Sequence, residues 1–223
     1  MRRLLHVLVL VGLLAAGSLL PVLPVESKLS APNLALCRDL GFSTEEDFVT
    51  RGPMPPDGNT LISDGDLLGP NCAVCARNRD LLQIFQVSLD LGLDAVDILD
   101  VENYVVAFST ELDSPNVGQF TAGDLLVTNG AVIPNAALLN GFKIPLYDLG
   151  LDGLHFVGDL RSIRAFLVEA AKISRRQWLE NRDMLIGMLT QYEIDIWFST
   201  EGTAPSATAP SGEGLRGHTG LPP

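Results

Sequence analysis

The feature that most constrains this chain is that it repeats itself. Gly65-Asp66-Leu67-Leu68 returns as Gly123-Asp124-Leu125-Leu126, and Asp90-Leu91-Gly92-Leu93-Asp94 returns as Asp148-Leu149-Gly150-Leu151-Asp152, both displaced by 58 residues. A third block, Phe42-Ser43-Thr44-Glu45, returns as Phe108-Ser109-Thr110-Glu111 at an offset of 66, and the difference falls in the Pro/Gly-rich connection 51–59. Three blocks in the same order define tandem units, and such units must bury their apolar faces on one another. Phe198-Ser199-Thr200-Glu201 is a third FSTE with no third GDLL after it, so it reads as a closing strand.

Within a unit the local signals are mostly β. Tyr104–Phe108 is rich in β-branched and aromatic residues, and Ser109-Thr110-Glu111 can end a strand through side-chain-to-backbone bonds. Asn129-Gly130 is a preferred two-residue turn, so Leu125–Thr128 and Ala131–Ile133 read as a hairpin. Asn78 and Asn135 stand where they could cap the short helical segments 79–85 and 136–142. The expected fold is mainly β with a C-terminal helical segment, built from two pseudo-symmetric units closed as a sandwich or small barrel. Propeller-type blades are the alternative, although two units fall short of the four a propeller needs.

Residues 159–192 change period. Leu160, Ile163, Leu167, Ala170 and Ala171 share a helical face, and Trp178, Leu185, Met188 and Leu189 continue it. This segment carries a net positive charge in an acidic chain, which fits a helix docked on the β-rich body. The boundaries that follow are a signal peptide at 1–25 and one domain at 26–201. That domain holds unit one at about 36–100, unit two at about 101–158, helices at 159–192 and the closing strand at 193–200. Residues 202–223, dominated by small residues, proline and glycine, read as a disordered tail. Arg2 and Arg3 followed by the apolar run 4–23 give the secretory pattern, with an uncleaved membrane anchor as its competitor. Either way the remainder belongs outside the cytoplasm: secreted, periplasmic or in the envelope.

Composition limits the chemistry. The formal charge of −12 disfavours nucleic acid, and no glycine-rich nucleotide loop is present. Cys37, Cys72 and Cys75 are too few for a four-thiolate zinc site and are the disulfide candidates, Cys37 with Cys72 or Cys75, or Cys72 with Cys75. The aspartates that recur at corners, Asp66, Asp94, Asp97, Asp124 and Asp152, are weak candidates for calcium, which accepts six to eight oxygens in flexible geometry. The EF-hand spacing is absent, and Asp97 is replaced by His155 in the second copy. No catalytic residue and no cofactor is assigned. Glu45 and Glu111 would make a carboxylate pair for glycoside chemistry only if folding brought them together.

The FSTE, GDLL and DLGLDAVD segments resemble repeats in uncharacterised secreted bacterial proteins, where a phrase of the type FS…GDLL…LGLD recurs along β-rich chains. The resemblance covers roughly 41–157 and implies an extracellular repeat module, with no activity attached. The expectation is a secreted or envelope-associated, non-enzymatic binding or structural module. Its partner would be an extracellular protein or glycan, with membrane contact only through an uncleaved N-terminus. The alternatives are an extracellular hydrolase acting with carboxylates on glycan or peptide, and a calcium-stabilised interaction module.

Overall fold

The computed structural model describes residues 32–38, 40–70, 73–143, 148–202 and 215–217. The expected signal peptide at 1–25, Cys72 and most of the expected tail lie outside the described residues. The elements run β1 (Phe48–Val49), β2 (Leu61–Ile62), β3 (Leu67–Gly69), β4 (Ala73–Ala76), α1 (Asn78–Leu81), β5 (Val96–Asp100), β6 (Val105–Phe108), β7 (Leu125–Val127), β8 (Val132–Ile133), α2 (Asn135–Leu138), β9 (Gly153–Val157), α3 (Leu160–Ala170), α4 (Arg175–Glu180), α5 (Asp183–Tyr192), β10 (Asp195–Ser199) and β11 (Leu215–Gly217).

The architecture is mixed: the expected strands and C-terminal helices are present, so mainly β holds only loosely, and the expected barrel does not form. The described strands form four small antiparallel sheets, β1-β2, β3-β4, β5-β6-β7-β8 and β9-β10-β11, and none closes on itself. The reason lies in the repeat. Each FS segment sits at a unit boundary, where it pairs backwards with the strand after DLGLD and forwards with the next GDLL. Val96 opposes Phe108 on one side of β6, and Leu126 opposes Phe108 on the other. The first FS segment has the forward half, an antiparallel bridge from Phe42 to Leu68. The third pairs backwards along β9, with Ser199 opposite Gly153. A unit therefore runs from one sheet to the next, so the sheets follow one another in series.

The four-stranded sheet divides the interior in two. Side chains alternate across a strand, so Val106 and Phe108 enter one core with Leu126 and Val132, while Ala107 enters the other with Leu125, Val127 and Ile133. Burial on both faces is why β6 and β7 are almost continuously apolar. The first core is completed by Leu67, Leu81, Phe85 and Leu93. The second is completed by the helices, through Ile163, Phe166, Leu167, Trp178, Leu185 and Leu189. Trp178 is fully buried. Asp159 caps α3 by accepting the Arg161 N–H at 2.9 Å, and Ser174 caps α4 by accepting from Gln177. The basic segment is thus docked on unit two.

The asparagine-glycine hairpin forms as its sequence requires. Gly130 takes φ of 96°, in the region that favours glycine, and Leu125 pairs with Ile133. Cys37 and Cys75 are joined, with Cα atoms 6.0 Å apart, which selects one of the pairings left open by the sequence. The bond is compatible with a secreted or periplasmic setting. No helix among the described residues is long and apolar enough to cross a membrane.

The disulfide spans 38 residues and ties the segment before unit one to β4. Chain-entropy arguments assign such a loop about 3–4 kcal/mol of stability. Replacing Cys37 and Cys75 together by serine is expected to lower the urea midpoint accordingly, and dithiothreitol should have the same effect on the wild-type chain but none on the variant.

Candidate functional site

The recurring polar residues are brought together twice, in the same arrangement. In unit one the buried Asn78 amide donates to Gly65 O at 3.2 Å and Gly92 O at 3.1 Å, while its oxygen accepts the Leu91 N–H at 3.1 Å. In unit two the buried Asn135 amide donates to Gly123 O at 3.0 Å and Gly150 O at 3.1 Å, and accepts the Leu149 N–H at 3.2 Å. One carboxamide therefore ties the GDLL corner to the DLGLD corner in each copy. Asn78 and Asn135 were expected to cap helices; they instead occupy the first helical position, with their side chains turned inward to the hub.

The aspartates complete the hubs. Asp66 accepts from Ser63 N and Asn78 N, and Asp124 accepts from Thr121 N and Asn135 N, at 3.0–3.2 Å. Asp90 and Asp148 each accept the N–H of the glycine two residues on, at 3.2 Å. The glycines are required for space. A methyl group at Gly65 would overlap the Asp90 carboxylate and the Asn78 amide, and one at Gly123 would overlap Asp148.

The two copies differ in what neutralises the central carboxylate. Asp66 pairs with Arg77 at 2.5 Å, and the same guanidinium grips both oxygens of Asp57 at 2.9 Å and the carbonyls of Asn59 and Leu61. Burial pushes Asp66 above the usual carboxylate range, with Arg77 opposing it. At Asp57 the same guanidinium and the Asn59 N–H outweigh burial, and the group is held below its ordinary value. Unit two has Pro134 in place of Arg77. Its counter-ion is Arg175 at the start of α4, whose Nε lies 2.5 Å from Asp124 Oδ2. Asp66 and Asp124 are therefore saturated by protein donors, each in its own hub, and do not converge on one point.

The remaining acidic candidates line a seam where the units stack. The threonines of all three FSTE segments make one turn, donating to the carbonyl two residues on: Thr44 to Glu46 at 3.2 Å, Thr110 to Leu112 at 2.9 Å, Thr200 to Gly202 at 3.1 Å. That turn lays Glu111 over Gly92 and Glu201 over Gly150, both glycines at positive φ. Burial, then Asp64, Glu45, Glu201 and Asp90, raise the Glu111 carboxyl above its ordinary value. The three FSTE glutamates thus form a ladder of like charges. An open groove of about 560 Å³ runs along part of it, lined by Glu111, Asp113, Asp148 and Glu201.

Asp94 lies deepest in the seam. Its Oδ2 is buried and receives no protein donor. Burial first, then a hydrogen bond shared with the Glu201 carboxyl and the charges of Asp152 and Glu111, push Asp94 up to about 8. The protonated form of Asp94 is thereby favoured, since like carboxylates in contact resist ionising together. Asp152 accepts from Ser199 Oγ at 3.2 Å. Asp97 faces its own counterpart in the next unit: it accepts the Phe156 N–H at 2.6 Å and lies 3.4 Å from His155 Nδ1. Burial raises Asp97, while Phe156 and His155 pull it back.

Of the calcium candidates, Asp94 and Asp152 share this seam, while Asp66, Asp97 and Asp124 lie in separate sites. Among the described residues no group of three or more His, Cys, Asp or Glu side chains is arranged to hold a metal ion. Sequence reasoning missed Asn78, Asn135 and Arg175 as hub residues. The asparagines recur with the blocks and could have been found; Arg175 has no counterpart in unit one. No family model, no curated protein and no solved structure matches the chain.

Each hub asparagine satisfies two buried carbonyls and one N–H. Asn78→Ala and Asn135→Ala should each cost about 3 kcal/mol in denaturant unfolding, because the partners are left buried and unpaired. The seam predicts a pH effect of defined sign. Asp94 binds its proton more tightly in the fold than in the unfolded chain, where its value is about 4. The resulting stabilisation is complete in acid and is lost as pH rises through about 8. The contribution should fall between about pH 4 and 8 and level off above, so the melting temperature drops across that range and Asp94→Asn flattens most of the drop.

Proposed function

We propose that the chain is a secreted or envelope-associated, non-enzymatic repeat module that binds an extracellular partner through its acidic seam. The observation that carries this reading is the duplication of the hubs. Asp66, Asn78 and Asp90 do in unit one what Asp124, Asn135 and Asp148 do in unit two, and all six are engaged in tying backbone corners together. The residues that look most like chemistry in the sequence are therefore spent on building stackable units. The seam is left for recognition. It presents carboxylates at regular intervals, a pattern complementary to a cationic protein surface.

A hydrolase acting with carboxylates on glycan or peptide is the second reading. It is favoured by one observation: Asp94 and Glu201, from distant parts of the chain, lie close enough for Glu201 to help raise the Asp94 carboxyl, and Glu201 borders the groove. Such a pair supplies an acid and a base side by side. Against it, Glu111 and Glu201 occupy equivalent places over equivalent glycines, as architecture requires and catalysis does not.

The two readings part in one set of measurements on the full chain. Titration calorimetry with a deca-lysine peptide should show binding at 0.05 M salt that weakens at 0.5 M. The triple variant Glu45→Gln, Glu111→Gln, Glu201→Gln should lose at least tenfold in affinity. Equal affinity of the two proteins would remove the seam as the binding face. Turnover of a chromogenic glycoside or of casein by the wild type, abolished by Glu201→Gln alone, would establish the hydrolase instead. A rise in melting temperature with calcium chloride, reversed by chelation, would mark the calcium-stabilised module.

A further inference from the structure

We propose that the tail carries the opening strand of a third repeat, and that the outer edge of β10 is a docking site for a strand of the form Gly-x-x-Leu. The chain's own tail fills it in one molecule, and the tail of a second copy can fill it by exchange. The inference concerns β10 and is independent of what the acidic seam binds.

Register carries the argument. In the first sheet Phe42 opposes Leu68, and in the second Phe108 opposes Leu126. Each time the phenylalanine of the FS segment faces the last residue of Gly-Asp-Leu-Leu. In the third, Phe198 opposes Leu215, with Trp197 opposite Arg216 and Ile196 opposite Gly217. The residues ending at Leu215 are Gly212-Glu213-Gly214-Leu215. They keep the glycine, the acid and the final leucine of the repeat and change only the third position. Sequence spacing agrees with the second copy: Leu126 follows Phe108 by 18 positions and Leu215 follows Phe198 by 17, while Leu68 follows Phe42 by 26 across the longer connection 51–59. A strand that joined β10 for reasons unrelated to the repeat would have no cause to share both the motif and the register.

The third copy is also the least complete. Leu67 and Leu125, which stand at the third position in the complete copies, are wholly buried. Gly214 stands there in the tail and brings no side chain. β3 is paired further with β4, and β7 with β8, whereas among the described strands β11 pairs with β10 alone. Strand addition at such an edge draws its affinity from backbone hydrogen bonds and its register from alternate side chains. Exchange of the same element between two copies is then a low-cost route to a dimer.

The test uses the full chain with Leu215→Pro and Arg216→Pro, which removes the pairing N–H groups of β11 whichever face of the register they lie on. A fluorescein-labelled peptide copying residues 120–133 should bind this variant at least tenfold more tightly than the wild type, by anisotropy. Hydrogen exchange at 196–198 should be faster in the variant and should return to wild-type protection with peptide bound, while protection in β9 stays unchanged. Gly214→Leu, which restores the repeat residue, should do the opposite, slowing exchange at 196–198 and excluding the peptide. Equal peptide affinity for all three chains, or no binding to any, would overturn the proposal. If the proline variant loses protection in β9 as well, Gly214→Leu decides: wild-type exchange at 196–198 in that chain would also overturn it.

Discussion

Everything in this fold hangs on a buried carboxamide used twice. A unit of this kind has little regular structure of its own. Its strands are two to five residues long and its internal helix is a single turn. What fixes the path between one sheet and the next is Asn78 in one copy and Asn135 in the other, each holding two corners of the chain by their backbones. The amide is suited to the task because it offers two donors and an acceptor in one plane without a charge to desolvate. The glycines then follow from the asparagine, since the carbonyls it reaches lie against carboxylates that leave no room for a Cβ.

Stacking such units in series has an electrostatic consequence. Along the seam, equivalent positions come to lie beside each other, so a charge placed there meets its own copy. Where the copies differ the conflict is relieved: Asp97 meets His155. Where they are identical it persists, and Glu111 sits between Glu45 and Glu201. The seam is acidic because the repeat is faithful there, and burial together with neighbouring like charges holds Glu111 and Asp94 above their ordinary values. A fold assembled for architecture thereby acquires a surface with a chemical preference.

Much of this was legible in the residues. Three ordered blocks announced tandem units, Asn129-Gly130 announced the hairpin, and the apolar rhythm after Asp159 announced the helices. Closure was not legible. Val105-Val106-Ala107-Phe108 and Leu125-Leu126-Val127 read as strands, but a short apolar run does not say whether it faces one core or two. The division of those strands between two cores, which turns an expected sandwich into sheets in series, depends on partners many residues away. The asparagines were visible and misread, because an asparagine ahead of a leucine-rich turn is usually a cap. Of the site, the corner aspartates were named from sequence, while the approach of Asp94 to Glu201 required distant segments to be set side by side. The likeness of Gly212-Glu213-Gly214-Leu215 to GDLL was hidden by a background of glycine, proline and small residues.

The unequal counter-ions give the two units different histories. Asp66 finds Arg77 only 11 residues on, so the first hub can neutralise itself as soon as its own segment has been made. Asp124 waits for Arg175, 51 residues later and on a helix that must first fold and dock. During synthesis the first hub can be neutralised from its own segment, while the core around unit two and the cation of Asp124 both wait for the helices to emerge. The helical insertion is in this sense a latch on the order of assembly: the array is completed from its N-terminal end, and unit two is fastened last.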